Sequence, residues 1–174
     1  NVIIGNLPVN RETLFQVRRT VGMVFQDPDN QLFMPTVFED VAFGPLNLGL
    51  RGELLESCVE EALGQVGVAH LRDKPPYHLS GGEKKRVAIA TVLAMSPDIL
   101  VMDEPTSGVD PVTRRQFWEL IYEAAAAGTT VLVTTHYMDE AEYCDRISIM
   151  VAGKIGALGT PAELKQQFGV DSID

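Results

Sequence analysis

The stretch DILVMDEP, Asp98–Pro105, runs without a polar residue from Ile99 to Met102 and then ends in two carboxylates, Asp103 and Glu104. A short continuous apolar run of this kind suits a strand buried on both faces of a parallel sheet. Two further runs have the same form. TTVLVTTH, residues 129–136, ends in His136, and RRTVGMVFQ, residues 18–26, ends in Gln26. Between the first two, Asp110-Pro111 is an N-cap followed by proline at the first helical position, and the helix it opens ends at Gly128. Strand, helix and strand in this order indicate an α/β fold with a mostly parallel sheet. Ligands of such sheets sit beyond the carboxyl ends of the strands. Gln26, Asp103, Glu104 and His136 would therefore share one edge, although singly Gln26 reads equally as a loop residue, His136 as a surface or satisfied histidine, and the Asp-Glu pair as a plain helix cap.

The stretch HLSGGEKKRVAIA, residues 78–90, adds a second chemical feature. Ser80 and Glu83 have capping-box spacing. Gly81 and Gly82 sit between them, each costing about 1 kcal/mol relative to alanine inside a helix. Glycine lets a ligand approach the unpaired amides of a helix N-terminus, where phosphate is a common occupant. The alternative is an ordinary turn before a helix. EKKR, residues 83–86, reads as a solvated helix face.

The rest of the chain reads as follows. NVIIGN, residues 1–6, is a strand entered in the middle, as in the remainder of a longer domain, and DPDNQLF, residues 27–33, is a loop of turn formers. Thr36 caps a short helix through Phe43 that Gly44-Pro45 would stop. Leu54, Leu55, Val59, Ala62, Leu63 and Val66 form one apolar helical face. MDEAEYC, RISIMV and KIGALG read as a short helix and two strands, and Thr160 with Glu163 opens a last helix. The stretch 36–97 thus interrupts the sheet with helices alone; residues 1–35 and 98–174 form the sheet core. Met95, Met102 and Met150 read as packing residues.

The 174 residues carry a formal charge of −10, which argues against sequence-independent nucleic-acid binding. No apolar run is long enough to span a membrane, and no signal peptide is evident. Cys58 and Cys144 lack metal-ligand spacing and read as buried thiols in a reducing, cytosolic setting.

LSGGEKKRVAIA resembles the signature motif of ATP-binding cassette (ABC) ATPases. ILVMDEPTSGVD is similar to their Walker B strand, catalytic glutamate and D-loop, VFQD to the Q-loop, and VLVTTH to the switch-histidine strand. The four motifs stand in the family's order and cover most of the chain. The resemblance implies a P-loop NTPase-like sheet with an inserted helical subdomain, and ATP hydrolysis with Mg²⁺. Asp103 would hold the metal and Glu104 would orient and deprotonate the attacking water. Gln26 would touch metal or water, and His136 the γ-phosphate. Asp110 would lie where two such domains meet. Ser80, Gly81, Gly82 and Glu83 would bind the nucleotide held by the other domain.

The chain contains no G-x-x-x-x-G-K-[ST] loop, the phosphate cradle of P-loop enzymes. The expectation is that an N-terminal piece carrying that loop and an adenine-stacking aromatic is missing, and that these residues alone neither bind nor hydrolyse ATP. A naturally degenerate domain is the alternative. Residues 21–50 resemble importer ATPases for cobalt, nickel and vitamins, the energy-coupling-factor type, in which Gln is more usual at position 83. Residues 103–121 and 134–150 look more like drug-exporter ATPases, which raises the idea of a recombinant joined near the Walker B strand. The resulting expectation is the nucleotide-binding subunit of a transporter, paired with a second ATPase domain and a membrane subunit at the cytoplasmic face. Thr36–Leu50 would face that subunit. A drug-exporter subunit, a soluble ATPase acting on ribosomes or DNA, and a non-catalytic interaction module are the alternatives.

Overall fold

A computed structural model describes residues 2–169, which divide into two compact units, one ending at Thr134 and one beginning at Thr135. The first unit is built on a three-stranded parallel sheet. Its strands are β3 (Val21–Val24), β4 (Ile99–Asp103) and β5 (Thr130–Thr134), in that spatial order. Ahead of them stand an antiparallel pair of two-residue strands, β1 (Ile3–Ile4) and β2 (Leu7–Pro8), and a helix, α1 (Leu14–Thr20). RRT therefore belongs to a helix that runs directly into β3, and NVIIGN contributes one side of a small hairpin.

The register aligns Val24 with Met102 and Met102 with Val133, on the face covered by helices, where Val24, Leu100 and Met102 are buried. The opposite face aligns Met23, Val101 and Leu132; Met23 is 47% exposed and Leu132 57%. Among the described residues β4 is therefore fully buried on one face, and on the other its Val101 is half-buried. Among the described residues, α4 (Gly81–Leu93) and α5 (Pro111–Ala126) contact the sheet strands, and Met23 and Leu132 lie on the face away from the buried row.

Helices α2 (Val37–Asn47), α3 (Gly52–Gln65) and α4 pack on one another around Val37, Val41, Val59, Leu63, Val87 and Ala90. Helix α2 starts at Thr36 as expected, with Thr36 Oγ1 accepting from the Glu39 amide. It does not stop at Gly44-Pro45. A Cβ on Gly44 would come 2.6 Å from the Met95 sulfur, so glycine here permits close packing, and Pro45 is buried inside the helix. Val37 and Val41 are core, whereas Phe38 lies under the Arg72 guanidinium and Phe43 is partly exposed, edge-on to Phe33 at 5.1 Å. The α3 face is as read except for Leu54, which points to solvent. Met95 and Met102 pack, but Met150 is exposed.

The second unit opens with the short helix expected at MDEAEYC, a 3-10 helix over Met138–Tyr143. An antiparallel hairpin follows, β6 (Ile147–Val151) and β7 (Lys154–Gly159), and then α6 (Pro161–Phe168). Both bonds of the Thr160–Glu163 capping box are present. Ala157 and Leu164 form its small core with Ile147 and Ile149. Cys58 and Cys144 are free and half-buried.

Candidate functional site

The carboxyl edge of the parallel sheet gathers Gln26, Asp103 and Glu104. Glu104 follows β4 directly with φ +43°, a left-handed conformation that costs a β-carbon residue about 1–2 kcal/mol. Its amide donates to the Thr134 carbonyl at 3.1 Å, which fixes the turn to the end of β5. That geometry aims the side chain at β3's exit loop, where Gln26 Nε2 donates to Glu104 Oε2 at 2.7 Å. Thr134 Oγ1 donates to Asp103 Oδ1 at 2.5 Å, orienting the neighbouring carboxylate.

The signature helix α4 begins as its sequence dictates. Ser80 Oγ accepts from the Glu83 amide, and Glu83 Oε2 accepts from the Ser80 amide at 2.8 Å and the Ser80 hydroxyl at 2.7 Å. These two bonds, the hydroxyl's foremost, hold the Glu83 carboxyl below its ordinary range. Glu83 thus turns back into the cap. A Cβ on Gly81 would meet nothing within 4 Å, and one on Gly82 would approach only the Thr113 methyl, at 3.8 Å. The backbone at this helix start is open to an approaching anion. Asp110 caps α5, accepting from the Val112 and Thr113 amides and from Thr113 Oγ1 at 2.5 Å. The Thr113 hydroxyl and amide keep the Asp110 carboxyl low.

EKKR is not a solvated face. Lys84 Nζ pairs with Asp29 at 2.6 Å, and Lys85 Nζ donates to the Ser107, Pro105 and Glu104 carbonyls at 2.6, 3.2 and 3.4 Å. Arg86 donates to the Val66 carbonyl and to Gln116. Sequence reasoning also missed Gln31. Its Oε1 accepts from the Phe25 amide at 3.1 Å, and its Nε2 donates to Ala88 O and Thr91 Oγ1, both at 2.8 Å. The only sequence signal was an amide among turn formers. Asp40 was missed as well. It is 3% exposed and accepts from the Phe33 and Met34 amides through Oδ1, and burial raises its carboxyl above the usual range.

His136 belongs to the second unit, two residues beyond β5, with its ring against Tyr137 at 4.2 Å between centroids. Among the described residues no cluster of His, Cys, Asp and Glu could hold a metal alone. Asp103 and the amide oxygen of Gln26 are hard oxygen donors, which fits Mg²⁺; that ion commonly takes one or two protein ligands and completes its shell with phosphate and water.

A glutamine and a glutamate thus meet at the carboxyl edge of a parallel sheet, where ligands of such sheets sit, and α4 opens a helix N-terminus of the kind that accepts phosphate. Residues 1–107 match the ABC transporter family, and the chain belongs to that family. A putative ABC transporter ATP-binding protein of Geobacter sulfurreducens is 58% identical over 99% of this chain and 68% of its own length. The energy-coupling factor transporter ATP-binding protein EcfA of Methanocaldococcus jannaschii is 51% identical over 94% of this chain and 60% of its own. Both similarities extend across the Walker B strand into each half. Among solved structures, cbiO1 of Clostridium perfringens, part of the ABC transporter complex cbiONQ, superimposes with a TM-score of 0.86 at 40% identity. It covers 95% of this chain and 68% of its own. A dimeric ATP-binding cassette with ADP and Pi bound gives 0.78 at 30% identity, over 90% of this chain and 71% of its own. The chain spans 56–68% of the length of four of the curated relatives it matches. Among the described residues no helix is long and apolar enough to cross a membrane.

Proposed function

We propose that this chain is the hydrolytic part of the ATP-binding subunit of an importer of the energy-coupling-factor type, for cobalt, nickel or a vitamin, held peripherally at the cytoplasmic membrane face. The observation that carries this reading is the 2.7 Å bond between Gln26 and Glu104 at the sheet edge. Glu104 takes a proton from water as its oxygen attacks the γ-phosphorus and the bond to the β-phosphate oxygen breaks. Such catalysis rests on positioning and charge stabilisation. Mg²⁺, held by Asp103 with Gln26, would neutralise phosphate charge. Ser80, Gly81 and Gly82 serve the nucleotide of a second cassette, with Asp110 at the contact between the two. The importer reading is favoured by the EcfA and cbiO1 likenesses. Phe33 and Phe43, exposed together at the edge of α2, suit a membrane subunit. Residues 36–97 act as the helical subdomain, and β3, β4 and β5 as the sheet core.

No Walker A loop occurs in the sequence. Exposed Met23 and Leu132, on either side of half-buried Val101, support the view that a loop-and-helix segment packs there and that hydrolysis needs it. The test compares residues 1–174 alone with the same residues joined to the Walker A segment of a close relative. Only the joined protein is expected to turn over ATP, and Glu104→Gln in it should abolish turnover while sparing ATP-driven dimerisation. Turnover by the unjoined chain, or by the Gln variant, refutes the reading.

A further inference from the structure

Lysine five residues into an amphipathic helix ordinarily reaches for water, with its stem along the surface. Lys85 does not. From the second turn of α4 its ammonium reaches the turn between β4 and α5 and donates to carbonyls of Ser107, Pro105 and Glu104. An ammonium has three donors and no acceptor, so three converging carbonyls match its capacity. The turn they belong to is the one in which Glu104 takes its left-handed conformation, with the Ser107 amide bonded back to the Glu104 carbonyl at 3.1 Å. The amide side of Glu104 is tied to Thr134 and its carbonyl side faces Lys85. The same turn leads within a few residues to Asp110. Burial disfavours the charge on Lys85, while Glu104 and Asp27 favour it.

We propose that Lys85 is a positioning residue for hydrolysis: carried on the signature helix, it sets the backbone of the turn that aims Glu104, so that the placement of α4 reaches the hydrolytic carboxylate. This rests on the reading of Glu104 as the base. A helix start that answers to a second cassette's nucleotide would then be joined, inside one chain, to that chain's own water-activating group.

The test uses the intact gene product with its membrane partner and the variants Lys85→Met, Lys85→Arg and Lys85→Gln. Lys85→Met should lower kcat about tenfold or more while leaving KM for ATP within about twofold, since aim is lost and binding is not. Arg, with donors in a different fork, should recover most of the rate, and Gln, with two donors, part of it. Amide exchange at Ser107 should rise about tenfold in Lys85→Met, with interior α4 amides unchanged. A kcat within about threefold of the parent in Lys85→Met, or equal losses in all three variants, overturns the proposal. If Lys85→Met fails to fold, the decision rests on Gln against Arg, and equal rates for those two overturn it. Glu104→Gln in the same preparation separates the two claims. If that variant still hydrolyses ATP, the base reading has failed; if it is inactive and Lys85→Met is not slowed, only the positioning role has failed.

Discussion

Replacing Gln31 by Leu tests whether the loop after β3 is held by one side chain. The substitution keeps most of the volume and removes an acceptor and a donor group. Three bonds go: one from the Phe25 amide, in an exposed setting, and two partly buried ones to Ala88 O and Thr91 Oγ1. Thr91 Oγ1 also donates to Ala88 O at 2.8 Å, so those two groups keep each other and neither is stranded. The loss is therefore that of ordinary bonds, about 1 kcal/mol for each buried one and less for the exposed one, or about 2 kcal/mol in all. With a urea slope of about 2 kcal/mol per molar, the midpoint of the intact gene product should fall by about 1 M. Exchange of the Phe25 amide should accelerate with it, because its acceptor is gone. Since Phe25 precedes Gln26, the bond to Glu104 should loosen and ATP turnover should drop as well. A midpoint shift under about 0.2 M with Phe25 exchange unchanged would refute the reasoning.

Three further outcomes follow from other contacts. A Cβ on Gly22 would lie 2.1 Å from Val92 Cγ1 and 3.1 Å from Pro97 Cγ, so Gly22→Ala should destabilise by about 1–3 kcal/mol in thermal or urea unfolding. Asp40 has a raised folded-state pKa, so the ionised form is the costly one, and its contribution to stability grows as pH falls from neutral through the folded pKa toward the unfolded value. Asp40→Asn keeps an acceptor for the Phe33 and Met34 amides and should lack that pH-dependent term, whereas Asp40→Ala should cost about 2 kcal/mol; parallel unfolding at several pH values distinguishes them. Ser80→Arg in the intact gene product should destroy ATP-driven dimerisation, read by light scattering, while nucleotide affinity of the monomer stays within about twofold.

The sequence was most informative where local chemistry and fold agree. Capping boxes at Ser80 and Thr160, the Asp110-Pro111 start and the apolar runs of β4 and β5 are self-contained signals, and each element begins where those residues put it. Gln26 and Glu104 were legible because strand ends on one edge of a parallel sheet converge. What escaped depends on partners distant in sequence. Gly44-Pro45 looks like a helix stop until Met95 is seen filling the space above Gly44. Helix α1 has neither a side-chain cap bond nor an acidic first turn, so nothing marked its start. Lys84 and Lys85 read as solvated because their partners, Asp29 and the carbonyls after Glu104, lie outside the helix.

The left-handed backbone at Glu104 has a consequence for how this protein changes under selection. Glycine at that position would relieve the Cβ clash, worth about 1 kcal/mol or more, and asparagine tolerates the conformation better than glutamate does. A library of variants passed only through heat challenge should therefore drift at residue 104 toward those residues. A library passed through a screen for ATP turnover should hold the glutamate. Where the two screens disagree, position 104 marks a place at which the protein gives up stability to keep a carboxylate pointed at Gln26.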